Sequence, residues 1–181
     1  MLPVPGDSVP RSTSVVPESL LITEDGVGGF RLGSTLAAVR RELPGATFAR
    51  TSDAEGAALV EVVLGGGESL ILYAGEEDAG APIDWSRPIE VIEVFRPPFA
   101  TADGIHPHSP VTEVERTWGK VRRIVRSEIE ARQFVEFERQ PAWITLRLDY
   151  TGRFPEDSSV TTDFHPSARI LSIAVSRFGM N

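Results

Sequence analysis

Residues 29–46 (GFRLGSTLAAVRRELPGA) and 104–121 (GIHPHSPVTEVERTWGKV) carry one pattern, 75 positions apart. Across that offset Gly29 matches Gly104, Phe30 matches Ile105, and Ser34 matches Ser109 in identity or character. Leu36 and Val111, Val39 and Val114, Arg41 and Arg116, and Leu43 and Trp118 extend the match. The same offset sets Leu59-Val60-Glu61-Val62 against Phe134-Val135-Glu136-Phe137. Two separate blocks agreeing on one offset predict a tandem duplication. Each unit is then near the lower size limit for independent stability, so the copies are expected to share an interface.

The local pattern in each copy predicts a short helix followed by strands. Ser34 is placed to cap a helix whose apolar residues Leu36, Val39 and Leu43 share one face, with Pro44-Gly45 as the stop. In the second copy Ser109 caps, Pro110 takes the first helical position, and Val111, Val114 and Trp118 form the stripe ahead of Gly119. Strands are expected at 58–64, 69–74 and 89–95, and again at 134–138, 143–150 and 170–176. Gly65-Gly66-Gly67 and Gln140-Pro141 supply hairpin turns. A further strand is expected at 121–129, with a weaker counterpart at 46–51. The expected fold class is α+β, a tandem duplication in which each unit is a short helix packed on an antiparallel β-meander. A Pro/Ser-rich arm or linker at 1–24 would precede units at 25–97 and 98–181.

Charge and composition exclude several functions. A net charge of −8 argues against a nucleic-acid partner, which requires a concentrated Lys/Arg surface. The densest basic run, 120–126, is either the solvent face of a strand or a patch for an acidic partner. The absence of cysteine excludes disulfide frameworks, cysteine-ligated zinc and thiol catalysis. No 18-residue apolar run is present, so no transmembrane segment is expected. The first ten residues lack the basic and apolar regions of a signal peptide. The composition suits a cytoplasmic protein, or an exported one whose signal peptide is absent from this chain.

Catalytic signatures are missing: there is no GxSxG, HExxH, P-loop or GxGxxG. His106 and His108 flank Pro107, and His165 lies downstream, with Asp103 and Asp163 nearby in sequence. Such a set could ligate a divalent metal for hydrolysis. Against that, Arg31 and Gly33 hold the equivalent places in the first copy. Acidic residues Glu76, Glu77, Asp78, Glu156 and Asp157 are read as solvated loop residues. The long connections at 74–88 and 151–168 occupy equivalent places yet share little sequence. Asp84 and Trp85 in the first, and Phe154 and Phe164 in the second, are the candidate partner-binding residues. Alternatively these rings fold back to plug the core. Trp118 and Trp143 sit at core spacing on regular elements.

Gly33-x-Thr35-x-x-x-Val39, followed by Leu43 and Gly45, resembles the helix-entry pattern of the small outer-membrane-assembly lipoproteins. Two such units at this spacing are similar to the tandem architecture of the β-lactamase inhibitor proteins. The second copy keeps Val114, Trp118 and Gly119 but has His108 where the pattern has glycine. This chain lacks the cysteines usual in the tandem inhibitors and shows one helix per unit where those folds have two. The resemblance implies an extracytoplasmic, non-catalytic, protein-binding role, and carries over no functional residue because the inhibitor loops do not align. The expectation is a non-enzymatic protein, without cofactor, that binds a protein partner through its sheet or its two long loops. An accessory structural subunit of a larger assembly, and a metal-dependent hydrolase built on His106, His108 and His165, are the alternatives.

Overall fold

Alternation of buried and exposed side chains along successive strands builds a sheet with two unlike faces. The computed structural model describes residues 16–128 and 131–177. After a 3-10 turn at Glu18–Leu20 come the short strands β1 (Leu21–Thr23), β2 (Gly26–Val27) and β3 (Phe30–Arg31), then helix α1 (Leu36–Glu42). Four strands follow: β4 (Thr47–Ser52), β5 (Ala58–Val63), β6 (Ser69–Tyr73) and β7 (Val91–Val94). Short β8 (Ala100–Thr101) leads to helix α2 (Val111–Trp118). The chain continues through β9 (Val121–Arg126), β10 (Gln133–Phe137), β11 (Ile144–Leu148), β12 (Val160–Thr161) and β13 (Ile170–Ser176).

Nine of these strands form one sheet in the order β12-β9-β10-β11-β13-β7-β6-β5-β4, antiparallel at every pairing. A smaller mixed sheet runs β3-β2-β1-β8, with β1 and β8 parallel. One face of the large sheet is apolar. Val60, Val62, Leu70, Leu72, Ile92, Val94, Ile173, Val175, Leu146, Val135 and Ile124 are buried there in a single core. Leu36 and Val39 of α1, Val111, Val114 and Trp118 of α2, and Ile22, Val27 and Phe30 of the small sheet close over it. Burial at about 25 cal/mol per Å² of apolar surface makes this face the main source of stability.

This arrangement corrects the expected tandem α+β fold of two meanders, each under its own helix. The fold is β-rich, its two α-helices spanning only seven and eight residues. The last strands of the two meanders, β7 and β13, pair with each other through Ile173 opposite Val94 and Val175 opposite Ile92. An apolar terminal strand with a free edge would leave a row of backbone N–H and C=O groups unmatched. Joining the two edges satisfies both rows and merges the meanders into one sheet. The small sheet was not foreseen, because two-residue strands carry no measurable periodicity.

Helix entry also differs by one residue from the expected caps. Thr35, not Ser34, is the N-cap of α1, its hydroxyl accepting from the Ala38 N–H at 3.2 Å. Pro110 holds the N-cap position of α2, and the Ser109 hydroxyl instead accepts from the His106 N–H at 3.1 Å. In both places the preceding segment is pinned at the entry to the terminal strand. Gly33 donates to the Ile89 carbonyl at 2.8 Å, and His108 donates to that of Ile170 at 2.7 Å. Both donors have positive φ, 83° at Gly33 and 75° at His108. Of the segment expected as an arm, residues 1–15 lie outside those described, while Leu21–Thr23 form β1. The expected strand at 121–129 ends at Arg126, and Ile129 lies outside the described residues.

Candidate functional site

The second face of the large sheet is where charge and partly exposed apolar groups meet. Register sets Glu61, Ile71, Glu93, Ala174 and Thr145 in one row across β5, β6, β7, β13 and β11. The row beside it holds Ser172 and Arg147 opposite each other, followed by Phe134 and Val125. Ile71, Phe134 and Val125 are half-buried, whereas Glu61 and Val63 are exposed. A groove of about 710 Å³ opens on this face, with Leu59, Ile71, Tyr73 and Phe95 among its walls and Arg96, Arg132 and Arg147 on its lining.

Glu93 is the centre of the arrangement. It sits in the apolar strand VIEV, only 3% exposed, where a lone carboxylate would be costly. Two hydroxyls solve that problem. Tyr73 Oη donates to Glu93 Oε2 at 2.8 Å, and Ser172 Oγ donates to Oε1 at 2.5 Å. Arg147 Nη1 lies 3.6 Å from Oε1 and supplies the compensating charge. At the groove's rim Arg132 Nη2 lies 3.7 Å from Asp53 Oδ2. Burial, with the Glu93 charge and hydrogen bond beside it, pushes the Tyr73 phenol well above its ordinary range, although Arg132 and Arg147 oppose the shift. Tyr73 therefore stays a donor at neutral pH. Each Glu93 oxygen accepts from a different hydroxyl, which fixes the orientation of the carboxylate.

The residues proposed from sequence lie elsewhere. Trp85 is half-buried against the core, its ring 5.7 Å from Phe48 in an edge-on contact and 4.3 Å below the Arg40 guanidinium. Asp84 is exposed and closes a turn, accepting from the Ser86 N–H at 3.0 Å and the Ser86 hydroxyl at 2.6 Å. Those bonds hold its carboxyl below the ordinary range. The connection around them is fastened by Arg50 of β4. Its guanidinium meets Glu76 through two bonds of 2.9 and 2.5 Å, and donates to the carbonyls of Ala81 at 3.1 Å and Pro82 at 2.9 Å. Phe154 is half-buried with Arg126 stacked over it at 4.9 Å, and Phe164 is half-buried on the same core. Phe154 and Phe164 both adjoin Gly152, whereas Trp85 packs on Phe48 of β4, toward the opposite end of the large sheet from the Arg126 of β9 that covers Phe154.

The histidines are also dispersed. His106 Nδ1 donates to the Pro107 carbonyl at 2.7 Å, and His165 Nδ1 lies 2.7 Å from the Ser167 hydroxyl. Asp103, instead of joining them, accepts from the Trp118 indole N–H at 2.9 Å. Among the described residues no three His, Cys, Asp or Glu side chains gather as a metal-binding set. Also among the described residues, no helix is long and apolar enough to cross a membrane. Glu93, Tyr73, Ser172 and Arg147 escaped the sequence reading. The available signal was the single carboxylate in the run VIEVF, a charge with no place in a fully apolar strand.

No family model matches the chain, and no curated protein does. Among solved structures, the fold is similar to the crystal structure of the uncharacterized protein yfeY from Escherichia coli, with a TM-score of 0.55. The two share 14% identity over 87% of this chain and 99% of that one. The likeness is one of fold.

Proposed function

We propose that this chain is a non-enzymatic binding protein that engages a polypeptide partner through the second face of its large sheet, around Tyr73, Glu93 and Arg147. One observation carries the reading: half-buried Ile71, Phe95, Phe134 and Val125 surround a buried, hydrogen-bonded charge network on the face opposite the core. Interfaces of this type combine apolar anchors with a few fixed polar groups. The aromatic residues of the two long connections are already committed to packing on the core, which favours the sheet over the loops. An extracytoplasmic setting, implied by the helix-entry resemblance, belongs to the same proposal.

Site-specific photocrosslinking tests it. A benzoylphenylalanine placed at Ile71 in the source cell should give one discrete product, and the same group at the exposed Arg41 of α1 should give none. Phe95→Asp, folded by circular dichroism, should remove the Ile71 product. Equal labelling from both positions, or none from Ile71, would overturn the sheet-face reading.

A further inference from the structure

The groove holds a cation whose hydrogen-bonding capacity the described residues do not use. Arg147 retains 15% of its side-chain exposure and lines the groove. Among the described residues its single charged contact is Glu93 at 3.6 Å, beyond hydrogen-bond range, and it donates no hydrogen bond to any of them. Glu93 is held in place by the Tyr73 and Ser172 hydroxyls, with its nearer oxygen outside hydrogen-bond range of Arg147. A nearly buried guanidinium with unmatched N–H donors favours an acceptor of matching fork geometry.

Charge then restricts what that acceptor can be. Glu93, Asp53 and Glu61 stand in or beside the same groove as Arg147, Arg132 and Arg96. Positive and negative side chains balance, so a multiply charged phosphate group would meet as much repulsion as attraction. A singly charged, planar group suits the Arg147 fork better. Apolar walls at Leu59, Ile71 and Phe95 ask for a hydrocarbon or aromatic body attached to it. The groove's volume of about 710 Å³ falls in the range of ligand sites, roughly 300–1,000 Å³.

We infer that this groove receives one carboxylate carried on an apolar body, the acid seated on Arg147 and the body lying along Leu59, Ile71 and Phe95. The inference rests on the sheet-face reading and names the chemistry recognised there. The carboxylate could be that of an aliphatic acid or the C-terminus of an apolar peptide, and the test separates the two.

Protein-observed NMR titration of the full chain uses decanoate, decanol, decyl phosphate, and a capped apolar tetrapeptide ending in a free acid or in an amide. Decanoate or the free-acid peptide should shift the Ile71, Tyr73 and Phe95 resonances, with the matching neutral probe at least about tenfold weaker. Whichever acid binds identifies the source. Arg147→Met should erase the acid preference, and Arg147→Lys should keep part of it. Because Arg147→Met leaves Glu93 uncompensated, Ile71→Trp is the second variant, filling the groove without adding a charge beside Glu93 or Arg147, and it should abolish acid binding read at Tyr73 and Phe95. Equal binding of acid and neutral probes, strongest binding of decyl phosphate, or no binding at all would overturn the carboxylate site. A discrete Ile71 crosslink with no probe binding would retire this inference alone. Probe binding without a crosslinked polypeptide would retire the protein-partner reading instead.

Discussion

Glu93 and Ser172 stand 79 positions apart in the chain yet share a 2.5 Å hydrogen bond across the junction of β7 and β13. That bond lies where the two meanders become one sheet. Removing the hydroxyl with Ser172→Ala should destabilise the protein by about 1.5–3 kcal/mol, the range for a hydrogen bond to a charged group. Urea unfolding followed by both tryptophan fluorescence and far-UV circular dichroism measures it. The two signals should coincide in the native chain, because a shared central junction couples the meanders into one cooperative transition. Separate midpoints would show that they unfold independently.

The Arg50–Glu76 pair gives a prediction with a sign. The Arg50 hydrogen bond holds the Glu76 carboxyl below its ordinary value of 4.5, against the opposing effect of burial. A carboxylate with a lowered folded pKa contributes stability that is complete above the unfolded value and is lost as pH falls through the folded one. Glu76→Gln should therefore cost about 1.5–3 kcal/mol at neutral pH and progressively less under acid. Chemical denaturation at several pH values would show this convergence. A deficit that is constant with pH would remove the ion pair as its cause.

His108 occupies a left-handed backbone position at φ 75°, a conformation that costs an L-residue about 1–2 kcal/mol. Glycine removes the strain and gives some of that back through its greater freedom when unfolded. His108→Gly should raise stability by up to about 1 kcal/mol, or roughly 2–4 °C in Tm for a chain of this size. Calorimetry decides it. A lower Tm would mean that the imidazole makes a stabilising contact.

Trp85 separates a packing residue from a binding anchor. Its ring meets Phe48 edge-on, carries Arg40 over its face, and is half-buried. Trp85→Ala should lose about 2–3 kcal/mol, less than a fully buried aromatic would. Trp85→Phe should recover most of it, with no change in the Ile71 crosslink. A stable Trp85→Ala variant that loses the crosslink would return the connection at 74–88 to the binding surface.

The sequence made the long strands legible. Ile170–Ser176 matches its expected bounds, and β5, β6 and β10 lie within one residue of theirs at each end. Those runs combine β-branched residues with alternation or unbroken apolarity, signals that depend only on neighbours in sequence. The junction of β7 with β13 depends on which free edges meet, and no local pattern encodes that. The site was hidden for a related reason. Glu93 has meaning only beside Tyr73, Ser172 and Arg147, which arrive on three other strands. Aromatic residues in polar connections give the stronger local signal, although the same composition serves a plug or an anchor equally well. Trp85 packed under Arg40 and a ring held out to solvent differ only in tertiary contacts, which the local sequence does not carry.

The position of β13 bears on biosynthesis. It lies in the interior of the large sheet, between β11 and β7, yet it is translated after every other described strand. Until the ribosome releases it, the nascent chain carries two half-built sheets whose β7 and β11 borders have no companion. Those borders are the sites where newly made copies would cling to one another. Chaperone demand should therefore peak late in synthesis, and a premature stop before Ile170 should yield insoluble material in preference to a truncated but folded product.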